Sequence, residues 1–198
     1  IYIFIITSFN RRDYKRFGVE ILKSRGFEVH VWDFTPMLSK RIYENYNPPD
    51  PIKYNNYKLI SDQSDFKKIS NRLNNSTVIC HIVFKSETKF IFNYFNNNKI
   101  SFGFCNLGEI PERPRSVLDK IISGFQNPNL IKSKIKLLIH RKVTNHIYPI
   151  YPNFIIMGGE KSYKSNRYLK NSSTKVIKSH ALDYDLYLNE EDKKFERI

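Results

Sequence analysis

The chain has 198 residues, 40% of them hydrophobic and 15% aromatic, with 33 Lys and Arg against 19 Asp and Glu, a net charge of +14. A domain of this size buries roughly 70% of its unfolded surface, so extensive disorder is excluded, and the longest apolar run, Ile1 to Ile6, falls far below the ~18 residues of a membrane span. Two cysteines, Cys80 and Cys105, make no disulfide framework, which fits a reducing compartment such as the cytoplasm.

The basic surplus has two sources. A Lys- and Asn-rich composition, with 22 Lys to 11 Arg and 20 Asn, is what a genome poor in G and C produces. The charge is nevertheless concentrated: between Arg113 and Lys178, 14 Lys and Arg face only Asp119 and Glu160. That distribution predicts a basic face that meets something anionic, with an ordinary solvated surface as the plainer reading.

Ile1 to Thr7 is almost wholly apolar and β-branched, the pattern of a strand buried on both faces of a parallel sheet. Phe17, Ile21 and Leu22 then recur at helical spacing until Gly26, predicting a helix of about four turns. Phe27 to Phe34 reads as the next strand, so the opening is a β-α-β unit whose right-handed crossover sets both strands in one parallel sheet. From Thr35 to Asn56 the pattern dissolves among Pro36, Pro48, Pro49 and Pro51, a long loop and hence a candidate binding element. Tyr57 to Ile60 predicts a short strand, and Ser61 or Ser64 caps a helix carrying Phe66, Ile69 and Leu73.

Ser76 to Phe84 predicts a strand, Phe90 to Phe95 marks a helix, and Lys99 to Cys105 a fifth strand. Pro114 opens a further helix, and Leu130 to Val143 another, apolar along Leu130, Ile131, Ile135, Leu138 and Ile139 with Lys and Arg on the remainder. That helix would suit an anionic bilayer surface, and would look the same packed on the sheet. Phe154 to Met157 and Thr174 to Ser179 are the sixth and seventh strands, and the residues beyond His180 read as a linker or tail. The alternation predicts an α/β chain built on a doubly wound, mostly parallel sheet over residues 1–180, with 181–198 leading away from it.

Such a sheet binds ligands at the carboxyl ends of its strands. No G-x-G-x-x-G follows the first strand, where Thr7-Ser8-Phe9-Asn10-Arg11 stands instead, and no G-x-x-x-x-G-K-[ST] occurs, so a dinucleotide-dependent dehydrogenase and a P-loop ATPase are disfavoured. Gly158-Gly159-Glu160 would let backbone amides approach an anion or nucleotide, or is simply a tight turn. His180, Asp183 and Asp185 place an imidazole and two carboxylates at a strand end, for acid–base work, hydroxyl recognition or plain linker anchoring. Arg11, Arg12, Asp13, Lys15 and Arg16 crowd the first loop and helix, a solvated turn or a cradle for phosphate or an acidic sugar. His30 and His81 fall in predicted strands, where a lone His is usually a core or edge residue, and Cys80 and Cys105 read as buried inert thiols. No metal-ligand spacing appears, so no metal site is expected. No RNA or DNA motif accompanies the basicity, so no nucleic-acid partner is expected either.

Two stretches carry a family resemblance. Asp13 to Leu22 with Arg25 to Pro36, and Phe154 to Gly159 with Ile177 to Leu188, resemble the opening and the close of the first domain of bacterial surface-polysaccharide biosynthesis proteins, of capsule or lipopolysaccharide, with a glycosyltransferase-B-like architecture. The resemblance implies two Rossmann-like domains facing a cleft, the amino-terminal one on the acceptor side and the carboxy-terminal one, missing from this chain, holding most of a nucleotide-sugar donor. It implies transfer of a sugar to a glycan or lipid-linked acceptor with no bound cofactor, and little activity from this half alone. Asp13, His81 and Asp183 are then the candidate general bases. Ser8, Arg11, Arg16, Gly158, Gly159, His180 and Asp185 are candidate substrate-binding residues, with the arginines holding an acidic sugar or a lipid-linked pyrophosphate. The expected location is cytoplasmic, peripheral at the inner face of the cell membrane. The alternative reading is a non-catalytic Rossmann-like module docking on an anionic membrane or partner.

Overall fold

A computed structural model describes residues 1–106, 150–158 and 173–179. The chain divides into two units, Ile1–Gly108 with Pro152–Ile198, and Glu109–Tyr151. Of the second unit, only Ile150 and Tyr151 are among the described residues. The first unit is built on one seven-stranded sheet: β1 (Tyr2–Ile5), β2 (His30–Asp33), β3 (Tyr57–Leu59), β4 (Thr77–Cys80), β5 (Ser101–Asn106), β6 (Phe154–Gly158) and β7 (Lys175–Ser179). The order across it is β3-β2-β1-β4-β5-β6-β7 and every pairing is parallel. This is an α/β, Rossmann-like, doubly wound arrangement. From β1 the chain winds outward through β2 to β3, then crosses back to β4 and winds the other way, so the reversal falls between β1 and β4.

Burial explains the apolar first strand: all four residues of β1 are buried. Ile3 and Ile5 face a cluster with Phe9, Val19, Val29 and Val31. Phe4, on the opposite face, packs its ring on Trp32 at 5.3 Å, Phe34 at 5.0 Å and Phe95 at 5.8 Å, with Phe66 edge-on at 6.4 Å. The excess of phenylalanine is thus largely spent on one face of the sheet, where each ring buries on the order of 150–250 Å². At Gly103 of β5 there is no room for a side chain, because a Cβ would collide with the ring of Phe154 on β6.

Several predicted elements change. The four-turn helix is two short ones, α1 (Arg11–Arg16) and α2 (Val19–Ser24), separated by Gly18 in the left-handed region at φ 62°. Ile21, expected on the apolar face, is 66% exposed, and Phe27 lies outside β2 and is exposed as well. The stretch from Thr35 to Asn56 is not loop throughout: it holds α3 (Thr35–Leu38) and α4 (Lys40–Asn45). Pro36 sits in the first turn of α3, where its missing N–H is not needed. The cap of α5 (Gln63–Ile69) is neither Ser61 nor Ser64 but Asp62, whose carboxylate accepts the N–H of Asp65 at 2.8 Å. The expected helix after Ser86 is α6 (Lys89–Asn97), with Ile91, Phe92 and Phe95 buried.

Candidate functional site

The chain leaves β1 at Ile5 and crosses the carboxyl edge of the sheet through Thr7 and Ser8. Asn10, extended at φ −140° and ψ 179°, caps α1 by accepting the backbone N–H of Asp13 on its Oδ1 at 2.9 Å. This cap fixes the first turn, and with it Asp13, whose side chain is only 5% exposed. One turn on, Arg16 Nη1 donates to Asp13 Oδ1 at 3.4 Å, a long ion pair. Returning from α4, the chain is tied to the same corner: Arg11 N donates to Asp50 O at 3.0 Å, and Asn10 bridges Pro51.

Thr7, Ser8, Asn10, Arg12, Asp13 and Arg16 line one side of a recess of about 240 Å³. Ile42 of α4 and Tyr46 just beyond it line the other. It opens at the carboxyl end of β1, beside the point where the winding reverses, which is where sheets of this kind hold ligands. A depression of about 560 Å³ at the opposite, amino-terminal edge is lined by polar loop residues such as Asn75 and Ser76, with Lys99 its one charged side chain among the described residues.

Of the sequence candidates, Ser8, Asp13 and Arg16 come together on the recess. Arg11 is exposed and does not line it. His81, one residue past β4, does not line it either: its ring packs on Phe17 at 4.8 Å. Burial, reinforced by the charge of Arg16, pulls His81 down to about 4, so it is a neutral imidazole at physiological pH. Gly158 ends β6 opposite Ser179, on the same edge of the sheet but three strands from β1, about 14 Å at ordinary strand spacing. Gly159, His180, Asp183 and Asp185 lie outside the described residues, as do the helix expected at 130–143 and the tail from 181 to 198.

Arg12 was one of a crowd in the sequence, and Ile42 and Tyr46 carried no signal of their own beyond belonging to a Pro- and Tyr-rich stretch. The acid at the end of β2 has a different fate. Asp33 is fully buried; its Oδ1 accepts from the Thr35 hydroxyl and, at 2.8 Å, from Thr35 N, and its Oδ2 accepts from the Tyr57 hydroxyl at 2.7 Å. Desolvation raises its pKa against the pull of those bonds. Dinucleotide-binding folds use an acid near this place for a ribose hydroxyl, but here the carboxylate is taken up inside the protein.

The remaining groups are structural. His30 stacks on Tyr2 at 4.6 Å and meets Glu28 Oε1 at 3.0 Å, with burial lowering its pKa. Cys80 and Cys105, on adjacent strands, are free thiols that burial pushes up to about 12 and about 11, too high for thiolate chemistry at neutral pH. Among the described residues no His, Cys, Asp and Glu cluster could hold a metal ion, and no helix is long and apolar enough to cross a membrane.

No family model, curated protein or solved structure matches this chain. Its class therefore rests on its own geometry: a Rossmann-like α/β protein with a small cationic recess at the carboxyl edge of its sheet.

Proposed function

We propose that this chain is the acceptor-side half of a glycosyltransferase, moving a sugar from a nucleotide sugar to a surface glycan or lipid-linked acceptor. The observation that carries the reading is the recess, which sets the nearly buried Asp13 carboxylate among the hydroxyls of Thr7 and Ser8 and the guanidinium of Arg16 at the carboxyl edge of a doubly wound sheet. In this reading Asp13 takes the proton from the attacking acceptor hydroxyl, and Arg16 positions the carboxylate. His81, neutral and packed on Phe17, takes no proton in this reading. The nucleotide sugar enters from a second domain facing the same edge, and the basic stretch at 130–143 lies against an anionic membrane surface.

The test is transfer by the full-length protein from a panel of nucleotide sugars to lipid-linked and glycan acceptors. Asp13→Asn lowers turnover by about 10²–10⁴-fold, the range of a lost general base, with acceptor affinity nearly unchanged. Turnover within a few-fold of wild type in that variant would remove Asp13 from the chemistry. The pairing of Asp13 with Arg16, which engages the carboxylate within the protein, favours a second reading, a binding module without chemistry, in which the same variant alters ligand affinity and no donor is ever consumed.

A further inference from the structure

The recess has a definite chemistry of its own. At about 240 Å³ it is below the ~300–1,000 Å³ of pockets that hold drug-sized ligands and cofactors. It suits one sugar ring and is too small for a dinucleotide. Among the described residues its charged lining is two arginines and one carboxylate. Arg16 meets Asp13 at 3.4 Å, whereas no carboxylate among the described residues pairs with Arg12. Arg12 offers a planar guanidinium whose fork matches a carboxylate.

The opposite wall differs in kind. No residue of α4 is buried, yet Ile42 and Tyr46 line the recess while 46% and 45% exposed. A half-exposed ring in the same recess as hydroxyls and arginines gives an apolar plane on which the C–H face of a sugar can lie, removing that surface from water.

We propose that the recess selects an acidic sugar, a hexuronic acid residue whose carboxylate pairs with Arg12, whose hydroxyls meet Thr7, Ser8 and Asp13, and whose ring lies against Tyr46. This rests on the acceptor-side reading above and adds the identity of the acceptor's terminal sugar. A single guanidinium, that of Arg12, matches a carboxylate better than a phosphate monoester, which carries about −1.5 to −2 at neutral pH.

The experiment is calorimetric or NMR titration of the protein with methyl glucuronide, methyl galacturonide, methyl glucoside, glucose 6-phosphate and inorganic phosphate. Arg12→Gln and Tyr46→Ala serve as variants because both side chains are exposed and neither threatens the fold. One of the two hexuronides binds about tenfold or more tightly than the neutral glucoside. Arg12→Gln abolishes that difference, and Tyr46→Ala weakens hexuronide and glucoside alike. Equal affinity for the charged and neutral sugars, no binding of either hexuronide, or a preference that survives Arg12→Gln overturns the proposal. Tighter binding of glucose 6-phosphate or of inorganic phosphate overturns it in favour of a phosphate site. Since no donor is present, these outcomes are separate from the transferase reading. A protein that glycosylates neutral acceptors through Asp13 yet ignores hexuronides refutes this inference alone, and one that binds hexuronides without ever transferring a sugar refutes only the other.

Discussion

At the scale of single residues, placement at a strand end has decided between roles that the sequence left open. Asp13 and His81 are titratable groups of similar promise on paper. The Asn10 cap turns one into the lining of a recess, and a position one residue past β4 turns the other into a half-buried neutral ring on Phe17. That burial has a measurable consequence. Unfolded, His81 titrates near 6.5; folded, near 4. Between those values the unfolded chain binds a proton that the folded one refuses, so the stability tied to this group is complete above pH 6.5 and is lost as the pH falls toward 4, by about 3 kcal/mol. His30 shifts in the same direction and Asp33 in the opposite one, so the whole-protein profile mixes them. The difference between wild type and His81→Phe isolates the term. Urea unfolding at pH 7 and pH 4.5 should show the wild type losing more stability on acidification than the variant; equal losses would mean that His81 charges freely inside the fold.

At the scale of elements, the strands were legible and the helix boundaries were not. A strand buried on both faces announces itself by an unbroken apolar run, as Tyr2–Ile5 does, and all seven strands fall within or beside their predicted spans. A helix of four or six residues has too few turns to show a period, which is why α3 and α4 disappeared among prolines. Asp62 lost the cap assignment to its serine neighbours because any of the three side chains can accept a backbone N–H, and only the local backbone decides among them. Gly18 is the most instructive miss. Its neighbours keep helical spacing, but its own φ of 62° ends one helix and starts another. Nothing lies within 4 Å of a Cβ built there, so Gly18→Ala meets no steric obstacle and its cost is the backbone conformation alone, about 1–2 kcal/mol. Gly18→Asn, which tolerates the left-handed region, should cost less. Equal stability of the alanine variant and the wild type by urea unfolding would show that α1 and α2 can fuse into the continuous helix that the spacing implies.

At the scale of the whole molecule, the doubly wound class was readable, though not the strand order, because alternation of strands and helices allows few parallel arrangements once crossovers are right-handed. The recess was only half readable. Its floor, from Thr7 to Arg16, is contiguous in sequence, whereas its far wall comes from residues some thirty positions later, brought alongside by the return of the chain through Asp50 and Pro51. The same topology predicts how the sheet comes apart. β1 and β4 lie at the centre, flanked on both sides by paired strands, while β3 and β7 are the edges. Four of the five residues of β7 are exposed, and β3 is three residues long with Lys58 and Leu59 exposed, so neither edge is held by much apolar burial. Local opening follows burial and pairing rather than sequence order. Native-state amide exchange should therefore rank protection from β1 and β4 downward to β3 and β7, with central amides opening only in global unfolding and edge amides several kcal/mol more easily, on the order of 10²–10⁴-fold faster. β7 amides as slow as those of β1 would mean that the exposed edge is covered in solution, and the covering surface would then have to account for both Ile177 and Lys178, which the fold leaves facing opposite sides of the sheet.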